Sequence, residues 1–137
     1  MTVERVGVSF EPELLEAFDK IITRKGYTNR SEAIRDIVRE FLNKEFIESG
    51  TGMVMGTLTF CYNHHKGSIK ERLMDIQHDN HHLIVFTTHV HLDHEHCLET
   101  LVLRGEINQV KALADSIRAV RDVYVGSLTV ISYNMMM

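Results

Sequence analysis

The fold is decided by residues 5–42, RVGVSFEPELLEAFDKIITRKGYTNRSEAIRDIVREFL. Val6, Val8 and Phe10 alternate with Arg5, Gly7 and Ser9, the period-two pattern of a half-buried strand. Pro12 suits a first helical position. Leu14, Leu15, Phe18, Ile21 and Ile22 then recur at helical spacing until Gly26, a natural stop. Asn29 followed by Glu32 has the form of a capping box, and Ala33, Ile34, Ile37, Val38, Phe41 and Leu42 make the apolar stripe of a second helix. Its polar side carries Glu32, Arg35, Asp36 and Arg39. A strand and two helices of this length bury too little alone, so their apolar faces require a second chain, as in an intertwined dimer.

Outward from this unit the chain changes character after Asn43, and Ser49, Gly50, Thr51 and Gly52 read as loop. The division expected is a first domain over residues 1–45, a linker over 46–52 and a second domain over 53–137. In the second domain a strand spans about 53–62, and Ile69, Leu73 and Ile76 mark a helix. A strand over 83–92 carries Ile84, Phe86, Thr88, Val90 and Leu92 on one face and Val85, Thr87, His89 and His91 on the other. Another runs from Cys97 to Leu103 and ends at Arg104 and Gly105. Ile107, Val110, Leu113, Ala114, Ile117 and Val120 form a last helix before a strand over 123–131, and the terminal methionines read as a frayed end. The order βαββαβ is that of a ferredoxin-like unit, and the whole chain falls in the α+β class. If the two helices cover one sheet face, the face with Val85, Thr87, His89 and His91 needs other cover, which a dimer of dimers would provide.

With 44% apolar and 25% charged residues, the 137-residue chain has the composition of a soluble globular protein. No apolar run reaches the length of a membrane span and no secretory signal opens the sequence, so the expected location is cytoplasmic. A net charge of -4 offers no general attraction to nucleic acid, and any contact with DNA must rest on local geometry. Cys61 and Cys97 are too few for a disulfide framework. Seven of the nine histidines crowd between His78 and His96.

His89 and His91 are two apart on a strand, so their imidazoles lie side by side. Cys97 opens the neighbouring strand, and a thiolate with imidazoles suits nickel, copper or zinc far better than magnesium or calcium. His78, His81 and His82 are candidates for a fourth ligand, from the same subunit or another. The competing readings are a solvated histidine-rich surface, with Cys97 a buried filler, and a Cys–His nucleophilic pair. Against the second stands the lack of a glycine-rich or oxyanion-forming motif beside Cys97. His64 and His65 are open to two readings, auxiliary metal contacts or plain surface residues, of which the surface is preferred, and Cys61 reads as packed within its strand.

A two-stranded ribbon formed by the N-terminal strands of two chains fits the major groove, where Arg5, Gly7 and Ser9 would face base edges. The plain alternative is a structural edge strand. The second helix begins in GYTNRSEAIRD, whose capped N-terminus offers free N–H groups to a phosphate. Antitoxins share this arrangement, but they have no need of a downstream metal cluster.

RKGYTNRSEAIRDIVR (residues 24–39), THVHLDHEHCLE (residues 88–99) and the QH at 77 and 78 together resemble the NikR family, the nickel-responsive ribbon-helix-helix regulators, over nearly the whole length. The resemblance implies a non-enzymatic homotetramer in which ribbon-helix-helix dimers flank a core of four ACT-like domains, and which binds double-stranded operator DNA as a repressor of nickel uptake or related genes. It implies one Ni(2+) per subunit in a square-planar site, with His78 from one subunit and His89, His91 and Cys97 from another, and Glu99 as a supporting partner. Glu32 and Asp36 would form a separate cation site with Arg35 close by. Lys66 would meet the phosphate backbone. The chain departs from the family pattern at Gly7, where a threonine is expected, and at Lys66–Gly67, where a basic pair is expected. The alternatives are a regulator of the same architecture sensing cobalt, copper or zinc, and a metal-storage or small-molecule-binding ACT module that uses its N-terminal part only to oligomerise.

Overall fold

A computed structural model describes residues 2–136. The chain divides into two compact units between Phe41 and Leu42. In the first, helix α1 (Pro12–Arg24) opens with proline and closes in a Schellman motif. Gly26 takes φ +93, its N–H donates to the Thr23 carbonyl at 3.1 Å, and the Tyr27 N–H reaches the Ile22 carbonyl at 3.0 Å. Helix α2 (Arg30–Glu48) is capped as the sequence suggests, the Glu32 N–H donating to Asn29 Oδ1 at 2.9 Å. The reciprocal half of the box does not form, because the Glu32 carboxylate pairs with Arg35 at 2.7 Å.

The strand expected over residues 5–10 is not formed in the single chain. A strand needs a ladder partner for its N–H and C=O groups, and none of the described residues supplies one. The apolar stripe is left open: Val6, Val8, Leu14, Ile37, Val38 and Phe41 are all exposed, and among the described residues of this unit only Ile22 and Ala33 are buried. The stretch expected as a linker over 46–52 is helical as far as Glu48. The end of α2 is held within the second unit, where Asn43 donates to the Val130 carbonyl and accepts from the Ser132 N–H, and Lys111 donates to the Ile47 carbonyl. Only at Gly50 and Gly52, both at positive φ, does the chain turn.

The second unit contains β1 (Met53–Asn63), α3 (Ile69–Asp79), β2 (Ile84–His91), β3 (His96–Glu106), α4 (Ile107–Arg118) and β4 (Tyr124–Ser132), with 3-10 turns at His81–Leu83 and Tyr133–Met136. The expected βαββαβ order holds, and the sheet is antiparallel in the order β2-β3-β1-β4. Val54, Leu58, Phe60 and Tyr62 of β1 and Leu101 and Leu103 of β3 pack in one buried core with Leu73 of α3 and Val110, Leu113 and Ile117 of α4. Strand β3 does not end at Gly105 as expected. That glycine is a close-packing site, since a Cβ there would meet Leu83 Cδ2 at 2.5 Å. Met135 and Met136, expected as part of a frayed end, lie in the 3-10 turn Tyr133–Met136, and Met137 lies outside the described residues.

The facing of β2 is the reverse of that expected. His91 pairs with Cys97, His89 with Glu99 and Thr87 with Leu101, so these three β2 residues share the helix-covered face with the buried side of β3. Phe86 and Val90 point to the open face, where Met55, Tyr124 and Ile131 are also exposed. An irregularity in the ladder between Ile84 and Phe86 lets Ile84 pack on the core although the apolar positions after it face outward.

Candidate metal centre

The sheet register assembles the site. Antiparallel pairing sets His91, Cys97 and Tyr62 side by side across β2, β3 and β1, and His89, Glu99 and Phe60 form the next row on the same face. Cys97 Sγ lies 3.5 Å from His91 Nδ1, and the rings of His89 and His91 are 5.2 Å apart at their centroids. The turn between the strands is built around Asp93. Its Oδ1 accepts the N–H groups of Glu95 at 2.8 Å and His96 at 2.7 Å, and its carboxylate meets His96 Nδ1 at 3.0 Å. These bonds, the one from Glu95 foremost, hold the Asp93 carboxyl down to about 2.

Cys97 is fully buried. Burial pushes its thiol above the ordinary range, and the Glu99 carboxylate adds to the rise. Behind it Glu99, itself buried, accepts hydrogen bonds from the Tyr62 hydroxyl and from Gln77 Nε2, the latter at 3.1 Å. Burial first, then the bond to Glu99, raises the Tyr62 phenol, which therefore stays protonated and keeps donating. Strand β1 and helix α3 thus hold the carboxylate beside the thiol.

Among the described residues one group of three donors from separate side chains comes together: His64, His91 and Cys97, with ligand atoms within 4.8 Å of one another. Metal–ligand bonds of about 2.0–2.3 Å put opposite donors at most about 4.6 Å apart, so small side-chain rotations close this set on an ion. A thiolate with imidazoles fits nickel, copper and zinc. His64 is the member for which the sequence favours a surface position over a metal contact. The signal was present in the alternation of β1, where Leu58, Phe60 and Tyr62 are buried on one face and residue 64 is next in that series.

His78, at the end of α3, is exposed and lies outside this group. Its carbonyl faces His81 Nδ1 at 2.9 Å and its ring is 6.1 Å from that of His81. In the N-terminal unit Arg5, Gly7 and Ser9 are exposed, and nothing lies within 4 Å of a Cβ built on Gly7. Asp36 accepts from the Tyr27 hydroxyl at 2.6 Å and from Arg39 at 2.8 Å, and these bonds, Tyr27 first, hold its carboxyl below the usual range. Glu32 and Asp36 thus each have a cationic partner within this unit. Lys66 pairs with Asp122 at 3.0 Å.

Two family models match. Residues 55–131 match the NikR C terminal nickel binding domain, and residues 4–45 match the ribbon-helix-helix protein, copG family. Curated relatives that carry the name "Putative nickel-responsive regulator" span almost the whole chain. That of Desulfovibrio desulfuricans is 53% identical over 125 residues, 91% of this chain and 90% of its own. The Solibacter usitatus relative is 46% identical over 128 residues, covering 93% of this chain and 92% of its own. The relative from Thermococcus kodakarensis is 43% identical over 128 residues, 93% of each chain. With an N-terminal ribbon-helix-helix domain and a C-terminal nickel-binding domain matched in order along its length, this chain belongs to the NikR family of nickel-responsive regulators.

Proposed function

We propose that the protein is a nickel-dependent repressor, without enzymatic activity, that binds operator DNA when nickel is bound and controls nickel uptake or related genes. The observation that carries this reading is the approach of Cys97 Sγ to His91 Nδ1 at 3.5 Å, with His89 alongside, in a chain that also has a ribbon-helix-helix domain. One Ni(2+) per subunit is held by His89, His91 and Cys97, with His78 of the partner subunit as fourth ligand and Glu99 as support. The exposed position of His78, away from the other three, favours its use across an interface. Bound nickel supplies a link between subunits, and it favours DNA binding only insofar as it prefers the arrangement that makes that link.

The working form is a cytoplasmic homotetramer, a dimer of dimers. Two observations support it: the open apolar stripe of the N-terminal unit, and the open sheet face bearing Met55, Phe86, Val90 and Ile131. No described helix is long and apolar enough to cross a membrane. Arg5, Gly7 and Ser9 face the bases from a ribbon shared by two chains, and Lys66 meets the phosphate backbone after leaving Asp122. Glu32 and Asp36 form a second cation site only if Arg35, Arg39 and Tyr27 release them.

The test is equilibrium binding to a duplex taken from upstream of the protein's own coding sequence, at fixed salt, with and without nickel. Nickel is expected to tighten binding. Arg5→Ala should relax sequence preference, at about 1–3 kcal/mol per lost base contact, whereas Lys66→Ala should weaken all sequences alike and flatten the salt dependence. Equal binding by the metal-free and nickel-loaded protein would exclude the function.

A further inference from the structure

Gly7 is a glycine that nothing in its own chain requires. Glycine is needed where the backbone enters the left-handed region or where a Cβ would collide with a neighbour. Gly7 meets neither condition: its φ is not positive, unlike those of Gly26, Gly50, Gly52 and Gly67, and nothing lies within 4 Å of a Cβ built on it. Glycine also carries a penalty there, since it gives up more chain entropy than alanine when a strand orders and packs nothing. Alternation sets it on the face with Arg5 and Ser9. Val6 and Val8 line an open cavity with Ile34 and Val38 of α2; Arg5 also lines it, as a long flexible side chain can, whereas Gly7 and Ser9 do not. The face bearing Gly7 is therefore the one turned away from α2, the face that a ribbon of two chains offers to the major groove.

We propose that Gly7 is a specificity-determining position that acts by omission: the base pairs facing it in each half-site are not discriminated, and sequence preference comes from Arg5 and Ser9 on either side. The inference rests on the reading of the N-terminal strands as a DNA-binding ribbon given above. Base pairs are told apart in the major groove by the donors, acceptors and methyl groups at their edges, and reading these takes a side chain. A bidentate arginine reads guanine, and a serine hydroxyl, both donor and acceptor, reads less strictly. Glycine has only main-chain groups, which lie in the plane of the ribbon at right angles to the side chains. A blank of this kind lets one protein accept a set of operators that differ at the facing positions.

The test uses the full chain loaded with nickel(II) and selection from duplexes of random sequence, followed by affinities for single-base changes at one salt concentration. The unaltered protein is compared with the Arg5→Ala, Ser9→Ala, Gly7→Ala and Gly7→Thr proteins. Arg5→Ala and Ser9→Ala identify their own base pairs by the preference that each removes. At the base pairs between these, the unaltered protein should accept any base within about twofold, whereas a change at the Arg5 base pairs should weaken binding about fivefold or more. Threonine suits a strand and brings a hydroxyl and a methyl group, so Gly7→Thr should add a preference of about fivefold at those intervening base pairs and leave the rest unchanged. Strong preference of the unaltered protein at the intervening positions would overturn the proposal. So would a loss of about tenfold on every sequence with Gly7→Ala, which would assign the glycine to close approach of the backbone to DNA. A Gly7→Thr protein with unchanged preference at every position would also overturn it, by placing residue 7 away from the bases. Nickel-loaded unaltered protein that selects no duplex at all would instead overturn the function on which the proposal rests.

Discussion

In the proposed function the chemistry turns on Cys97. Its thiol is buried, and burial together with the Glu99 carboxylate raises it above its ordinary value, so at neutral pH it carries its proton. Binding as a thiolate must then expel that proton. Apparent nickel affinity should rise about tenfold per pH unit for one proton released, and the dependence should flatten only above the raised thiol value. Nickel titration in weakly buffered solution with a pH indicator checks the release, and Cys97→Ala should abolish both the proton and the charge-transfer band. A protein that binds nickel equally across pH 6 to 8 would not be using this thiol. The adjacency of His91 and Cys97, with His89 two residues along the same strand, was legible in the sequence because strand periodicity and a short turn place them together; their role as ligands belongs to the proposed function. The approach of His64 was not legible, because it reaches the site through the pairing of β1 with β3, which brings together residues more than thirty positions apart.

Helices are legible in the sequence because their signals are local. Pro12, Gly26 and Asn29 act on their own turns, and each does in the structure what its chemistry suggests. Gly26→Ala forces a side chain into the left-handed region at φ +93 and should lower the stability of the N-terminal unit by about 1–2 kcal/mol, with Gly26→Asn costing less. Thermal or urea unfolding, followed at more than one protein concentration, measures it. Equal stability of the alanine and glycine forms would mean that the Schellman turn does not hold the helix end. Strands were harder to read. Alternation divides β2 into two faces but does not say which the helices cover, and here the more apolar set, Phe86 and Val90, lies on the face that the helices leave open. The strand over 5–10 depends wholly on a ladder partner, which no local pattern supplies.

At the scale of the molecule, both units have apolar surface that one chain does not cover. Met55, Phe86, Val90, Tyr124 and Ile131 lie exposed on the open face of the sheet, and a covered face is what a dimer of dimers requires. Met55 is on a central strand, so Met55→Glu would set a charge in the middle of such an interface. The expected outcome in sedimentation is a dimer in place of a tetramer, with the N-terminal pairing intact. A tetramer that survives the substitution would place the interface elsewhere. The α+β architecture and the order of elements followed from periodicity, whereas the assembly depends on which faces remain open, and that emerges only once the strands are registered.

In the proposed function, nickel at the Cys97 site controls contact with DNA. Footprinting on DNA upstream of the protein's own coding sequence, with metal-free protein, with stoichiometric nickel and across cobalt, copper and zinc, tests it most directly. The unaltered protein should protect a two-part, pseudo-symmetric site when nickel is added and leave it open without metal, and the Cys97→Ala protein should leave it open in both conditions. Protection by the metal-free protein, or nickel-induced protection that survives Cys97→Ala, would contradict that claim.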